Sequence, residues 1–117
     1  MSAITVTVGL YGPLAPHLGG VYVAQEPVTV EAGACVRDLL RQLDIDPADR
    51  GYLFINAVLC DAPGLYVSAN EQLKDADRVD VFSLKHMWPY QYRDGIPMSD
   101  ALKEAMREHG AMHHSYR

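Results

Sequence analysis

Three histidines near the C-terminus, His109, His113 and His114, have the spacing most easily tied to chemistry. Residues four apart share a helix face, so His109 and His113 offer two imidazoles to a transition metal if a helix runs through both. Gly110 interrupts that run and Glu108 is the one close acid, so plain surface histidines at a frayed end are the competing reading. His86 beside Met87 could add soft ligands from another part of the fold. The two cysteines, Cys35 and Cys60, lie far apart without ligand spacing. Buried thiols are the plain expectation for such a pair, and a single disulfide is the lesser one. Cys35 opens a helical pattern, where a thiol pKa can fall, but no histidine in a readable triad motif accompanies it. Phosphate-loop, dinucleotide, nucleophile-elbow and zinc-protease patterns are all missing, and no helical pattern follows Gly19-Gly20 to make a phosphate cradle. The expectation is a non-enzyme with no catalytic residue and no cofactor.

A second cluster is suited to recognition. Trp88, Tyr90 and Tyr92, with Arg93 beside them, are residue types that dominate binding hot spots. The same alternate aromatics could instead form a strap laid on the domain's own sheet, sealing an edge. After them, Ser99 is a suitable N-cap and Asp100 suits the first turn of a helix. Leu102, Ala105 and Met106 make its narrow apolar stripe, and Gly110 stops it. That helix has two berths open to it, its own sheet or a partner.

The elements that must position these residues begin with Ile4, Val6, Val8 and Leu10, alternating with Thr5, Thr7 and Gly9 as in a strand. Leu14 to Leu18 form an irregular link to a turn at Gly19-Gly20 that needs positive φ. A second strand region spans Val21 to Val30, interrupted near Glu26-Pro27. Val36, Leu39, Leu40 and Leu43 fall at i, i+3, i+4 and i+7, one face of a helix. Asp46-Pro47 shows that the helix has ended. Tyr52 to Cys60 reads as one strand bending into a short second one, Leu65 to Asn70 is ambiguous, and Arg78 to Leu84 is the last core strand.

A chain of 117 residues buries roughly two-thirds of its unfolded surface and needs no staples. A net charge of −5 argues against nucleic acid and anionic membranes as partners. The N-terminus has no basic segment leading into an apolar one, and no run reaches the length of a membrane span, so a cytoplasmic protein is expected.

The order of strands and helix predicts an α+β roll. Three local patterns sharpen it: Gly33-Ala34-Cys35-Val36-Arg37-Asp38-Leu39-Leu40, Phe54-Ile55-Asn56-Ala57, and Leu73-Lys74-Asp75-Ala76-Asp77-Arg78-Val79. Together, over residues 3 to about 84, they resemble the sulfur-carrier group of ubiquitin-like proteins, the molybdopterin-synthase small subunits and thiamine-pathway carriers (MoaD/ThiS). The resemblance implies a β-grasp, a mixed sheet packed on one main helix. The division expected is a β-grasp domain over 1–84 and a C-terminal extension over 85–117, aromatic strap plus short amphipathic helix. Asp75, Asp77 and Asn56 are expected to hold a tight turn through side-chain-to-backbone bonds.

In that family the activity lies in a terminal Gly-Gly that is adenylated and converted to a thiocarboxylate. Here the corresponding place is near Met87-Trp88, and the chain runs on to Arg117 without Gly-Gly. The reading that follows is a non-catalytic interaction module, an accessory subunit or an assembly or regulatory partner of a larger enzyme. Its partner-binding residues would be Trp88, Tyr90, Tyr92 and Arg93. Two alternatives stand beside it. One is a sulfur carrier freed by proteolysis of the extension and served by an activating enzyme. The other is a metal-binding or delivery protein using His109, His113 and His114. Self-association, by swapping the extension or pairing a sheet edge, is a further partnership open to it.

Overall fold

The computed structural model describes residues 2–84 and 97–109, the His109 side chain excepted. Five strands form one sheet: β1 (Ala3–Tyr11), β2 (Val23–Glu31), β3 (Arg50–Ile55), β4 (Val58–Asp61) and β5 (Arg78–Ser83), in the order β2-β1-β5-β3-β4. The central pair β1 and β5 is parallel and the other pairs are antiparallel, so the sheet is mixed. Helix α1 (Val36–Gln42) packs on it, and helix α2 (Asp100–His109) follows the sheet in the chain. This is the α+β, β-grasp-like topology that the strand and helix patterns predict.

Alternation decides the faces. Val6, Val8 and Leu10 of β1, Val28 and Val30 of β2, Leu53 of β3, and Val79 and Val81 of β5 join Val36, Leu39, Leu40 and Leu43 in one core. These are the apolar positions of the i, i+3, i+4, i+7 helix set against one face of the sheet. α1 starts at Cys35, whose backbone N–H and thiol both donate to the Asp38 carboxylate, at 3.0 and 3.2 Å. Those two bonds hold the Asp38 carboxyl below its ordinary range. Cys35 is therefore half-buried and engaged at the helix start, Cys60 is buried, and both are free thiols.

The opposite face is covered only in part. Tyr52, Leu59, Ala62 and Leu102 form a second core, with Phe54, Phe82, Met98 and Met106 packed against it. So α2 lies on its own domain, over β3 and β4. Ser99 caps it as expected, accepting from Leu102 N–H at 3.1 Å. The segment before it runs alongside β4: Leu59 N–H donates to Pro97 O at 2.8 Å, and Ser99 N–H donates to Leu59 O at 2.9 Å. Of the two berths open to this helix, it occupies its own sheet.

Three local details differ from the sequence expectation. The Leu14–Leu18 link is part of a 3-10 helix, Gly12–Leu18, ended by Gly19 at φ +82. β2 is not interrupted at Glu26-Pro27 but runs unbroken, with Pro27 opposite Thr7. The register explains why. Gly12 N–H donates to Tyr22 O and Ala32 N–H to Ser2 O, which makes the even-numbered β1 positions the hydrogen-bonded pairs. Thr7 and Pro27 fall between them, so the nitrogen of Pro27 faces away from β1, where no ladder bond is lost. Finally, the ambiguous Leu65 to Asn70 segment forms turns, and Asp61 holds it in place.

Candidate recognition surfaces

Trp88, Tyr90, Tyr92 and Arg93, and the histidines His113 and His114, lie outside the described residues, as does the His109 side chain. Among the described residues, no group of three or more His, Cys, Asp or Glu is placed to hold a metal ion. No described helix is long and apolar enough to cross a membrane.

The turn residues sit as their types suggest. Asp75 accepts from Thr5 N–H at 2.9 Å and Asp77 from Lys74 N–H at 2.8 Å. Asn56 donates to Asp77 at 2.9 Å and accepts from Arg78 N–H at 2.9 Å. They tie the start of β5 to β1 and to the β3–β4 turn. These bonds occupy the groups structurally, as tight-turn side chains do.

A polar and aromatic platform occupies the part of the α2-bearing face, over β1 and β5, that no described helix covers. Tyr11 and Phe82 are register partners and their rings stack, with centroids 4.5 Å apart and planes 14° apart. The Phe54 ring meets Phe82 edge-on at 5.9 Å. Tyr11 Oη donates to Asp80 Oδ1 at 2.8 Å and accepts from Gln25 Nε2 at 3.2 Å. Arg78 closes on Asp80 in a fork, Nε to Oδ2 at 2.9 Å and Nη2 to Oδ1 at 3.1 Å. Bidentate geometry of this kind is the stronger form of carboxylate pairing. It raises the already high Arg78 pKa, and burial followed by the Asp80 hydrogen bond raises that of Tyr11.

Gly9 makes this arrangement sterically feasible. A Cβ at Gly9 would stand 2.3 Å from Asp80 Oδ1 and 2.8 Å from Tyr11 Oη. The tyrosine ring thus leans back across a bare backbone position, a device that shields strand glycines. In the sequence, Gly9 is only one polar-side member of an alternating run. Nothing in that run signals its pairing with Asp80.

Beside the platform the surface turns apolar. Val21, Tyr22 and Val23 are exposed at 73, 78 and 54%. Val23 pairs with Tyr11, which places it next to the stacked rings, and Val21 and Tyr22 precede it in the chain. β2 is also the outer strand on this side of the sheet. Its outward backbone donors are broken at mid-strand by Pro27, a residue that discourages full-length edge pairing.

A third feature lies on the α1 side. Arg50 and Asp61 are 2 and 1% exposed, with Nη2 3.6 Å from Oδ2. Asp61 accepts from Ala62 N–H at 2.9 Å, Val67 N–H at 3.2 Å, Ser68 N–H at 2.8 Å and Ser68 Oγ at 2.5 Å. Those four bonds fasten the 62–68 loop to the end of β4. Sequence reasoning passed over this pair, for which the only signal was an arginine at the head of the apolar Tyr52-Leu53-Phe54 run. No protein-family model matches the chain, and no curated protein is similar to it in sequence.

Proposed function

We propose that the chain is a non-catalytic, ubiquitin-like interaction module, an accessory or regulatory subunit docked on a larger enzyme. The observation that carries this reading is the exposed Val21-Tyr22-Val23 segment, joined to the Tyr11–Phe82 stack through the Val23–Tyr11 pair. An aromatic centre beside an apolar patch, bordered by a fixed Arg78–Asp80 pair, has the composition of a hot spot with a polar rim. Tyr11, Asp80 and Arg78 are hydrogen-bonded to one another before a partner arrives. Docking therefore demands little reordering of side chains, which favours affinity.

The return of residues 97–99 to β4 supports the same reading over that of a carrier freed by proteolysis. Removing the extension would strip Leu59 of two backbone bonds and take Leu102 out of the second core. Trp88, Tyr90, Tyr92 and Arg93 remain proposed partner contacts.

The test is native mass measurement of the tag-free protein from its own cells, with and without Tyr22→Asp and Val23→Asp. A stoichiometric complex with a larger protein, lost in the variants while their circular dichroism is unchanged, is the expected result. A free monomer at endogenous concentration sinks the proposal.

A further inference from the structure

A cavity of about 620 Å³ opens between α1, the 44–47 loop and the 66–69 loop. That volume is in the range of small-molecule sites, which run from roughly 300 to 1,000 Å³. Val36, Leu40 and Ile45 give it a buried apolar wall. Arg37 and Arg41 stand exposed at its rim and Arg50 lies at its base.

Arg50 is the unusual member. Nη1 donates to Gly51 O at 2.6 Å, but Nη2 is buried and makes no hydrogen bond to any described residue. Asp61, at 3.6 Å, offsets the charge without giving Nη2 an acceptor, because both its oxygens already serve the loop. A buried donor left in this state is destabilising until an acceptor reaches it. Burial also lowers the Arg50 pKa, with Asp61 opposing the shift. The ring of Tyr66, which also lines the cavity, lies over the guanidinium with its centroid 5.1 Å from the guanidinium carbon. Tyr66 is 44% exposed and its backbone sits at φ +57, a strained region for an aromatic residue. A strained, half-exposed ring over an unsatisfied cation has the properties of a displaceable cover.

We propose that this cavity binds a small organic monocarboxylate, its apolar body along Val36, Leu40 and Ile45 and one carboxylate oxygen on Arg50 Nη2 once the Tyr66 ring swings aside. The charge balance selects the class. Three guanidinium groups line the cavity, but so do Asp44, Asp46 and Asp61. Of these, Asp61 is consumed by its loop, and Asp46 accepts from Ala48 N–H at 2.9 Å. Those bonds do not cancel charge, so the three arginines and three aspartates sum to zero, and the neighbouring carboxylates oppose a single negative charge less than a phosphate dianion. The long apolar wall serves no purpose for an inorganic anion. Arg37 and Arg41 at the rim draw the acid in.

The experiment is an amide-resolved NMR titration of the full chain at low salt with hexanoate and phenylacetate, against their primary amides and inorganic phosphate. The expected result is saturable shifts confined to residues 36–51 and 61–69 with the carboxylates, at least tenfold weaker with the amides and with phosphate. Arg50→Lys, which keeps the charge but not the fork, should weaken carboxylate binding about tenfold. Should that variant not fold, Arg37→Gln with Arg41→Gln on the exposed rim serves instead, with about threefold weakening expected. Carboxylate and amide binding alike, phosphate binding more tightly than carboxylate, shifts outside the two segments, no saturable shift, or unchanged affinity in the folded variant each overturns the proposal.

Discussion

The Asp61→Ala substitution gives the sharpest test of how this fold holds its irregular part. The carboxylate accepts four hydrogen bonds from the 62–68 loop and faces the buried Arg50 guanidinium. Removing it leaves a buried cation without its counter-charge, which costs roughly 3–5 kcal/mol when one partner of a buried pair is deleted. Unsatisfied loop N–H groups add to this where the loop cannot turn them to water, at about 1–3 kcal/mol each. The loop is near the surface and its outer part relaxes, so the net expectation is about 4 kcal/mol. In a 117-residue domain that is a large share of a typical total of about 5–15 kcal/mol, and it lowers Tm by about 15 °C.

Urea unfolding followed by far-ultraviolet circular dichroism measures the change, with the m-value reporting whether the transition stays two-state. Arg50→Met in the same assay should cost distinctly less than Asp61→Ala. Asp61 keeps its four donors without the guanidinium, whereas Arg50 has only Gly51 O without Asp61. Asp61→Ala within about 1 kcal/mol of the parent, or Arg50→Met more damaging than Asp61→Ala, would falsify the view that the carboxylate is the organising centre.

Gly9→Ala should cost about 1–3 kcal/mol by urea unfolding, since its Cβ meets Asp80 and Tyr11 below contact distance. It should also return the Tyr11 phenol toward ordinary ionisation in an ultraviolet titration corrected with Tyr11→Phe. Leu102→Ala, at a fully buried position of the second core, should cost about 2–5 kcal/mol if α2 unfolds with the sheet. If α2 detaches alone, fast hydrogen exchange at Leu59 and Ser99 will show it with little change in the global midpoint. Burial raises the pKa of the Cys60 thiol, and burial with the Asp80 bond raises that of Tyr11. Both shifts stabilise the fold fully below the unfolded pKa values, about 8.5 for a thiol and 10 for a phenol, and are lost as pH rises through the folded values. Stability should therefore fall above about pH 8.5, and Cys60→Ala should flatten the first part of that fall.

The regular elements were legible because each repeats a single rule. The period of two in Ile4, Val6, Val8 and Leu10 and the helical spacing of Val36, Leu39, Leu40 and Leu43 are local patterns, and both sets end in one core. The turn around Asp75 and Asp77 was legible for a similar reason, since short acids after a strand-like run bond the nearest backbone donors. Pro27 misled because its effect depends on which way one nitrogen faces. That direction is set by the pairing of β2 with β1, a fact held in the register and in no window of sequence.

The surfaces were illegible for a stronger physical reason. Gly9 and Asp80 are separated along the chain and face each other only because β1 and β5 run parallel at that register. Arg50 and Asp61 likewise meet only through the fold of β3 on β4, and neither departs from its surroundings enough to advertise a partner. Periodicity reports which face of an element is buried. It cannot report which polar groups two elements bring together on the other face, or at the ends of the sheet. Two such meetings lie among the described residues: a stacked Tyr11–Phe82 platform on one face, and an arginine with an unused donor on the other. A β-grasp-like sheet fixes neither feature. Substitutions at Gly9, Tyr22 and Arg50 should therefore alter binding in ways that substitutions in the common core do not.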